Sequence, residues 1–401
     1  MDTSKMQQFP ELTTDRIFGL YIESEENKKR SEELYKALDQ AFIWSIISEV
    51  VAHYDIGKVT ELYEIFGGYV NRSFGIYTEK DGQKQEFFVR LYKKGVTEKE
   101  IMFEHSLLDF VKANGLDMAA GIYRTKDGRS FLKKIIGTGE KAEERYFAVY
   151  EFLPGEDKYT WVENVLTDEE FASIAEILAT FHNAARGFDP KGLERVEPKI
   201  LELIPTLKAK FKEYAETDWK DKFTEYFLKN LDSILEEIDR IKIPAEELAK
   251  MPMNPIHCDF HPGNLKYANN KAVGIFDFDW SKIDLRLFDI GLGLVYCCSS
   301  WIDETDGTMM LDQSAIFLKA YQNKLKELGG LEPLNEVEKK HLPTMLAAGN
   351  MYLIFWALRD YYSNLGELNV FEYLTYLQHQ VKLMNWIRKN WDVLLEIANS
   401  I

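Results

Sequence analysis

The stretch Pro255-Ile-His-Cys-Asp-Phe-His-Pro-Gly-Asn-Leu265, with Gly274-Ile-Phe-Asp-Phe-Asp279 following it, decides how the rest of this chain is read. It places His257, Asp259 and Asn264 on one loop, with Asp277 thirteen residues after the asparagine. Between them, Leu265-Lys-Tyr-Ala268 and Ala272-Val-Gly-Ile-Phe276 flank Asn269-Asn270-Lys271, the pattern of two short strands about a turn. A hairpin of that length returns Asp277 to the end of the strand pair where Asn264 stands. Asn264 then offers a neutral oxygen, and Asp277 a charged one, to a single hard cation. Mg²⁺ suits such a donor set because it keeps part of its shell for water and phosphate. Asp259 is placed to take a hydrogen bond from an acceptor hydroxyl. A carboxylate base with Asn and Asp about a metal is the set used in kinase-type phosphoryl transfer, where positioning and charge neutralisation supply most of the catalysis.

His257 and His261 lie four residues apart and would form a zinc pair on a helix, but Pro262-Gly263 opposes a helix there. His257 is expected instead to brace the loop by hydrogen bonds.

These motifs resemble those of the aminoglycoside phosphotransferase/choline kinase superfamily. The segments Gly67-Gly68-x-x-Asn71 and Phe88-Val-Arg-Leu-Tyr92 look most like its homoserine-kinase-like branch. The resemblance runs over about residues 60 to 360. It implies Asp259 as catalytic base, Asn264 and Asp277 as Mg²⁺ ligands, and Asp289, in Leu287-Phe-Asp-Ile-Gly291, as a structural carboxylate behind the catalytic loop.

The hydrophobic pattern agrees with an α+β, two-lobed protein-kinase-like fold, with a small five-stranded antiparallel N-lobe and a large, mainly helical C-lobe. Residues 1–55 read as a helical extension, with an apolar run over Ala41–Val51. Residues 56–152 read as the N-lobe. Strand-like segments fall at Leu62–Phe66, Ser73–Tyr77, Glu86–Tyr92, 129–135 and 145–152, and a helix begins at the Thr97/Glu100 capping box. Leu153-Pro-Gly155 marks the passage to the C-lobe, 153–401. There Thr167 and Glu170 cap a helix, and a helical stretch fills about 198–240. The hairpin near 264–279 is the only evident β element of this half, and helices resume at about 312.

On the nucleotide side, Gly67 and Gly68 would let backbone N–H groups approach ATP phosphates, with Asn71, Arg72 and Ser73 beside them. Arg90 stands where a kinase needs a strand-borne cation, departing from the more usual Lys. A helical wheel over 97–114 sets Glu104 within the apolar stripe of Ile101, Leu108 and Val111. A carboxylate there requires a partner, for which Arg90 is the expected one. Glu151 and Leu153 would offer a carbonyl and an N–H to adenine.

A chain of 401 residues exceeds one ordinary core and fits two lobes. Its net charge of -17 argues against a general nucleic-acid binder and is the wrong sign for anionic membranes; it fits an amine-bearing substrate and, more simply, solubility. Cys258, Cys297 and Cys298 suggest no disulfide framework and fit a reducing cytoplasm. The opening residues lack an apolar signal core, and Met351–Leu358 is too short to span a bilayer, so a cytoplasmic location is expected. The expected partner is a small-molecule hydroxyl acceptor. Asp279, Trp280, Tyr296, Trp301, Asp303, Tyr352, Trp356, Arg359 and Asp360 are candidates to line its site. Aromatic rings among them could cage an ammonium, and carboxylates could hold amines. Two rival readings stand beside the small-molecule kinase. One is a stress-kinase-like protein kinase, against which the chain lacks an Ala-Pro-Glu segment after Asp277. The other is a nucleotide-binding regulator without catalysis. Oligomeric state is not legible.

Overall fold

In the computed structural model, residues 40–65, 71–136, 142–162, 165–193 and 195–401 are described. Gly67 and Gly68 lie outside them. The chain parts into two compact units. The first comprises described residues up to 65, 71–91 and 124–149; the second comprises 92–123 and the residues from 150 onward.

The first unit is built on β-branched and aromatic residues in alternation. Strands β1 (Lys58–Ile65), β2 (Arg72–Lys80) and β3 (Gln83–Leu91) form an antiparallel meander. The turn at Asp81-Gly82 supplies two left-handed residues, φ 53° and 76°. After the helix α2 (Glu98–Ala113), strands β4 (Leu132–Ile136) and β5 (Glu143–Glu151) complete a five-stranded sheet of order β1-β2-β3-β5-β4. Phe74, Ile76, Phe87, Val89 and Phe147 are buried in its core. The preceding helix α1 (40–51) buries Ile43, Ile46, Ile47 and Val50, a helical spacing. It is tied to the 124–129 loop by the Lys126 N–H donating to the His53 carbonyl at 2.8 Å.

In the second unit, Thr97 and Glu100 form the expected capping box of α2. Ile101, Leu108, Val111 and Glu104 are all buried on that helix. The Thr167/Glu170 box opens α3 (Asp168–Ala184). The stretch read as one helical region divides into α4 (Ile200–Ala215) and α5 (Lys222–Arg240). The cause is a fresh N-cap, at which Asp221 Oδ1 accepts from the Thr224 N–H at 2.8 Å.

The β content of this unit exceeds the expectation. A second antiparallel pair, β6 (Met253–Ile256) with β9 (Lys282–Leu285), brackets the hairpin of β7 (Leu265–Ala268) and β8 (Lys271–Ile275). It escapes a pattern reading because β6 contains Pro255 and β9 buries two charged residues, Lys282 and Asp284, which pair at 3.4 Å. Helices also resume earlier than expected, with α6 (Arg286–Cys298). All its residues are buried, so it carries no 3.6-residue alternation. Then follow α7 (Leu311–Leu328), α8 (Leu342–Ser363), α9 (Val370–Lys389) and α10 (Trp391–Asn399). Helices α6 and α8 touch at the backbone. A Cβ on Gly291 would stand 2.6 Å from the Met345 carbonyl oxygen, and one on Gly349 would stand 3.0 Å from Leu292 Cα. Among the described residues no helix is long and apolar enough to cross a membrane.

Candidate active site

Strand β6 delivers the chain to His257, where β pairing ends, and Cys258 takes a left-handed backbone, φ 65°. A non-glycine residue in that region persists only when its surroundings impose it. Asp289, at the start of α6, does so. Its Oδ2 accepts from the His257 N–H and its Oδ1 from the Cys258 N–H, both at 2.8 Å. His182 of α3 holds the same Oδ2 through Nε2 at 3.0 Å, and the other ring nitrogen meets the Tyr321 hydroxyl of α7 at 2.8 Å. Burial alone would raise the Asp289 pKa. The hydrogen bonds from His182 and from the His257 N–H outweigh it and hold the carboxyl below the usual range.

The loop then presents Asp259. Asn264 Nδ2 donates to its carbonyl at 2.8 Å and to its Oδ2 at 3.1 Å, while the Tyr296 hydroxyl donates to Oδ1 at 3.1 Å. His261 caps the 3₁₀ turn Pro262–Asn264, its Nδ1 accepting from the Gly263 N–H at 3.1 Å. That fixes the ring proton on Nε2, 3.7 Å from Asp259 Oδ2. Burial pushes the His261 pKa down to about 3, so the ring is neutral at pH 7. A quarter of the Asp259 side chain is exposed, 25%. The surroundings of its carboxyl nevertheless raise its pKa to about 8, first by desolvation and then through the charges of Asp277 and Asp279.

The hairpin performs the geometric task expected of it. Asn269 and Asn270 both have positive φ, 52° and 57°, as a tight hairpin turn needs. Leu265 pairs with Ile275, and the Phe276 N–H donates to the Asn264 carbonyl at 3.2 Å. Asn264 and Asp277 therefore stand at one end of the strand pair, and Asp277 itself is left-handed, φ 66°. Asn264 gives its NH₂ to Asp259, so Oδ1 is the atom it would offer to a cation. With the Asp277 carboxylate this is a hard-oxygen pair suited to Mg²⁺.

His257 joins the two halves. Its Nε2 donates to the Phe276 carbonyl at 3.0 Å, and burial keeps the ring neutral. This geometry is not that of a zinc ligand. Among the described residues no group of three His, Cys, Asp or Glu side chains forms a metal cluster.

The other expected positions distribute as follows. Arg72 makes a bidentate pair with Glu64 across β1–β2, at 2.8 and 3.1 Å. Ser73 lies opposite Arg90 in the β2–β3 register, and Arg90 is buried. Asn71 directly precedes β2. Glu104 accepts from the Tyr92 and Tyr150 hydroxyls at 2.8 and 2.9 Å, two partners the sequence reading did not name. The Glu151 carboxylate takes the Gly121 N–H at 3.1 Å and Lys112 at 3.3 Å. Leu153 is buried over Gly274.

Near Asp259, Tyr296 packs edge-on against Trp161, which also meets Trp301 and Tyr376. Trp301 stacks flat on His379, 3.6 Å between centroids. Trp161 was absent from the expectations, having no motif to mark it. Tyr352 is 1% exposed, and its hydroxyl donates to Glu197 at 2.9 Å and takes the Cys258 thiol at 3.8 Å. It is therefore core behind the loop rather than a wall of an open site. Asp279 and Trp280 sit on the 3₁₀ turn Phe278–Trp280, and Trp280 meets Trp356 at 4.7 Å.

A small antiparallel sheet unit and a large helical unit carrying such a loop and hairpin define a kinase-like phosphotransferase architecture. Residues 62–328 match the phosphotransferase enzyme family, and the chain belongs to that family. It is 26% identical over 317 residues to a homoserine kinase of Methylocella silvestris, covering 79% of this chain and 86% of that one. A homoserine kinase of Agrobacterium fabrum is 26% identical over 305 residues, 76% of this chain and 81% of its own. In fold, the chain is similar to a choline kinase from Cryptosporidium parvum, with TM-score 0.57, 16% identity and coverage of 90% and 99%. It is also similar to an aminoglycoside phosphotransferase from Alicyclobacillus acidocaldarius, with TM-score 0.59, 14% identity and coverage of 88% and 96%.

Proposed function

We propose that this protein transfers the γ-phosphate of ATP to a hydroxyl of a small amine- or amino-acid-bearing metabolite, with L-homoserine the leading acceptor. The observation that carries this reading is the Asp259 carboxylate, held by Asn264 and Tyr296 with Asp277 at the same hairpin end. Family membership and the names of the relatives support it.

In this proposal Asp259 orients the acceptor hydroxyl and takes its proton. A carboxyl whose pKa lies near neutrality is well matched to that task. Tyr296 and Asn264 fix the carboxyl plane, so the base does not reorient during the reaction. Mg²⁺ bound at Asn264 and Asp277 would supply charge neutralisation for the transferring phosphoryl group. Ser73, Arg90, Glu104, Glu151 and Leu153 are proposed for the nucleotide, with Asn71 and Arg72 beside them.

The test is ADP release over a panel of amino, sugar and choline-type alcohols with ATP and Mg²⁺. Turnover by the wild type and a loss of roughly a hundredfold or more in kcat for Asp259→Ala, with nucleotide affinity retained, is the expected result. Wild-type-like kcat in that variant would sink the mechanism. ATP binding without turnover across the panel would favour a regulator.

A further inference from the structure

The turn that carries Asp279 also carries Trp280, and three cations converge on it. Lys93 Nζ lies 4.5 Å from the Trp280 ring centroid, Arg195 Cζ 4.8 Å and Arg359 Cζ 5.7 Å. Arg359 Cζ also lies over the neighbouring Trp356 ring, 3.7 Å from its centroid. They come from separate parts of the unit: the segment after β3, the loop before α4, and α8.

Two consequences follow. The faces of these indoles already hold protein cations, so they do not form an open cage for an ammonium. Three like charges within reach of one another also repel. Lys93 shows this, its pKa lowered first by desolvation and also by Arg195 and Arg359, against the opposing charges of Asp279 and Glu100. Two of the carboxylates near the group, Asp360 and Glu100, are engaged in hydrogen bonds. Asp360 takes Arg359 Nε and Nη2 on one oxygen, at 3.3 and 3.2 Å. Arg195 Nη1 donates to the backbone carbonyl of Asp279, and the Asp279 carboxylate acts on Lys93 as a counter-charge. Glu100 serves the α2 capping box. The Nε of Arg195 is buried and has no hydrogen-bond partner among the described residues. Such a donor is costly to leave unmade and calls for an acceptor.

The cluster lies beside the candidate base. Asp279, one residue before Trp280, bears electrostatically on Asp259. Tyr352, Trp356 and Arg359 share a face of α8 at helical spacing, and the Tyr352 hydroxyl touches the Cys258 thiol next to Asp259. Seven residues of helix set Arg359 roughly 10 Å further along the axis.

We infer that Lys93, Arg195 and Arg359, seated on Trp280 and Trp356, form an anion subsite for a carboxylate or phosphate of the acceptor. The inference rests on the small-molecule kinase reading and narrows it: acceptors with an anionic group are selected, and purely cationic alcohols such as choline are not.

The subsite is tested by binding, apart from turnover. The full chain, with Mg²⁺ and a non-hydrolysable ATP analogue, is titrated calorimetrically with two matched pairs at constant ionic strength. One pair is L-homoserine and its decarboxylated counterpart 3-aminopropan-1-ol; the other is glycerol 3-phosphate and glycerol. Tryptophan fluorescence is followed in parallel against acetate, inorganic phosphate and chloride. The expected result is a preference of tenfold or more for the anionic member of one pair, which names carboxylate or phosphate as the source. A saturable fluorescence response to that anion beyond chloride should accompany it. Both should be lost in Arg195→Gln/Arg359→Gln, with Arg359→Lys retaining part of each and unchanged circular dichroism showing that the variants fold. Equal or better binding of the neutral or choline-type alcohols, no anion-specific response, or a preference that survives the double variant overturns the inference. If those alcohols are also turned over, the kinase reading survives that failure. If the anion binds and no panel member is phosphorylated, the subsite stands and the kinase reading falls.

Discussion

At the scale of single residues, the carboxylate behind the candidate base is more deeply buried than the base itself. Asp289 is fully buried and takes two backbone N–H groups and a histidine. Asp289→Asn keeps the shape but turns one acceptor into a donor facing N–H groups. The expected cost is about 3 kcal/mol of unfolding free energy in denaturant titration. Because the displaced loop carries Asp259, kcat should fall roughly a hundredfold as well. The pH dependence has a definite sign. The Asp289 pKa is depressed in the folded protein, so its contribution is complete above the unfolded value of about 3.9 and is lost as pH falls below it. The stability gap between wild type and Asp289→Asn should therefore be flat from pH 7 to 5 and narrow from pH 4 toward 3. A gap that widened on acidification would refute the assignment.

At the scale of elements, the close crossing of α6 and α8 transmits position to that carboxylate. Gly291 is two residues from Asp289, and a Cβ there meets the Met345 carbonyl at 2.6 Å, which no rotamer change relieves. Gly291→Ala should destabilise the protein by roughly 1–3 kcal/mol and lower kcat, the helix moving with Asp289 on it. Gly349→Ala, where the nearest atom is 3.0 Å away, should do both to a lesser degree; the reverse order in melting and kinetics would contradict this account. The same elements show where sequence reading works. Alternation revealed the β2–β3 meander, capping boxes revealed α2 and α3, and the Asn-Asn turn revealed the β7–β8 hairpin, because each signal is local. Helix α6 was missed since burial all round erases periodicity, and β6–β9 since four residues are too few to show any. The candidate base and metal positions were legible as a motif. The His182–Asp289 contact spans 107 residues, and the cations on Trp280 are gathered from three segments; such contacts exist only after folding.

At the scale of the whole molecule, a net charge of -17 opposes every anionic ligand before any contact is made. In the proposed function, nucleotide binding would then depend on local cations and on a metal, and this dependence separates the role proposed for Asp277 from that proposed for Asp259. A ligand that binds only the folded chain stabilises it by about 2.7 kcal/mol at a hundred times its Kd. MgATP should raise the thermal midpoint of the wild type, and EDTA should remove most of the rise. Asp277→Asn replaces the charged oxygen proposed for the metal by a neutral one, so its midpoint should hardly respond to Mg²⁺ at the same ATP concentration. Asp259→Asn removes the proposed base but leaves the oxygens of Asn264 and Asp277, so its Mg²⁺-dependent rise should be retained while turnover is lost. Differential scanning calorimetry on the three proteins, with and without Mg²⁺, reads both effects. An equal loss of the metal-dependent rise in the two variants would show that Asp259 belongs to the metal site, and an undiminished rise in Asp277→Asn would remove Asp277 from it.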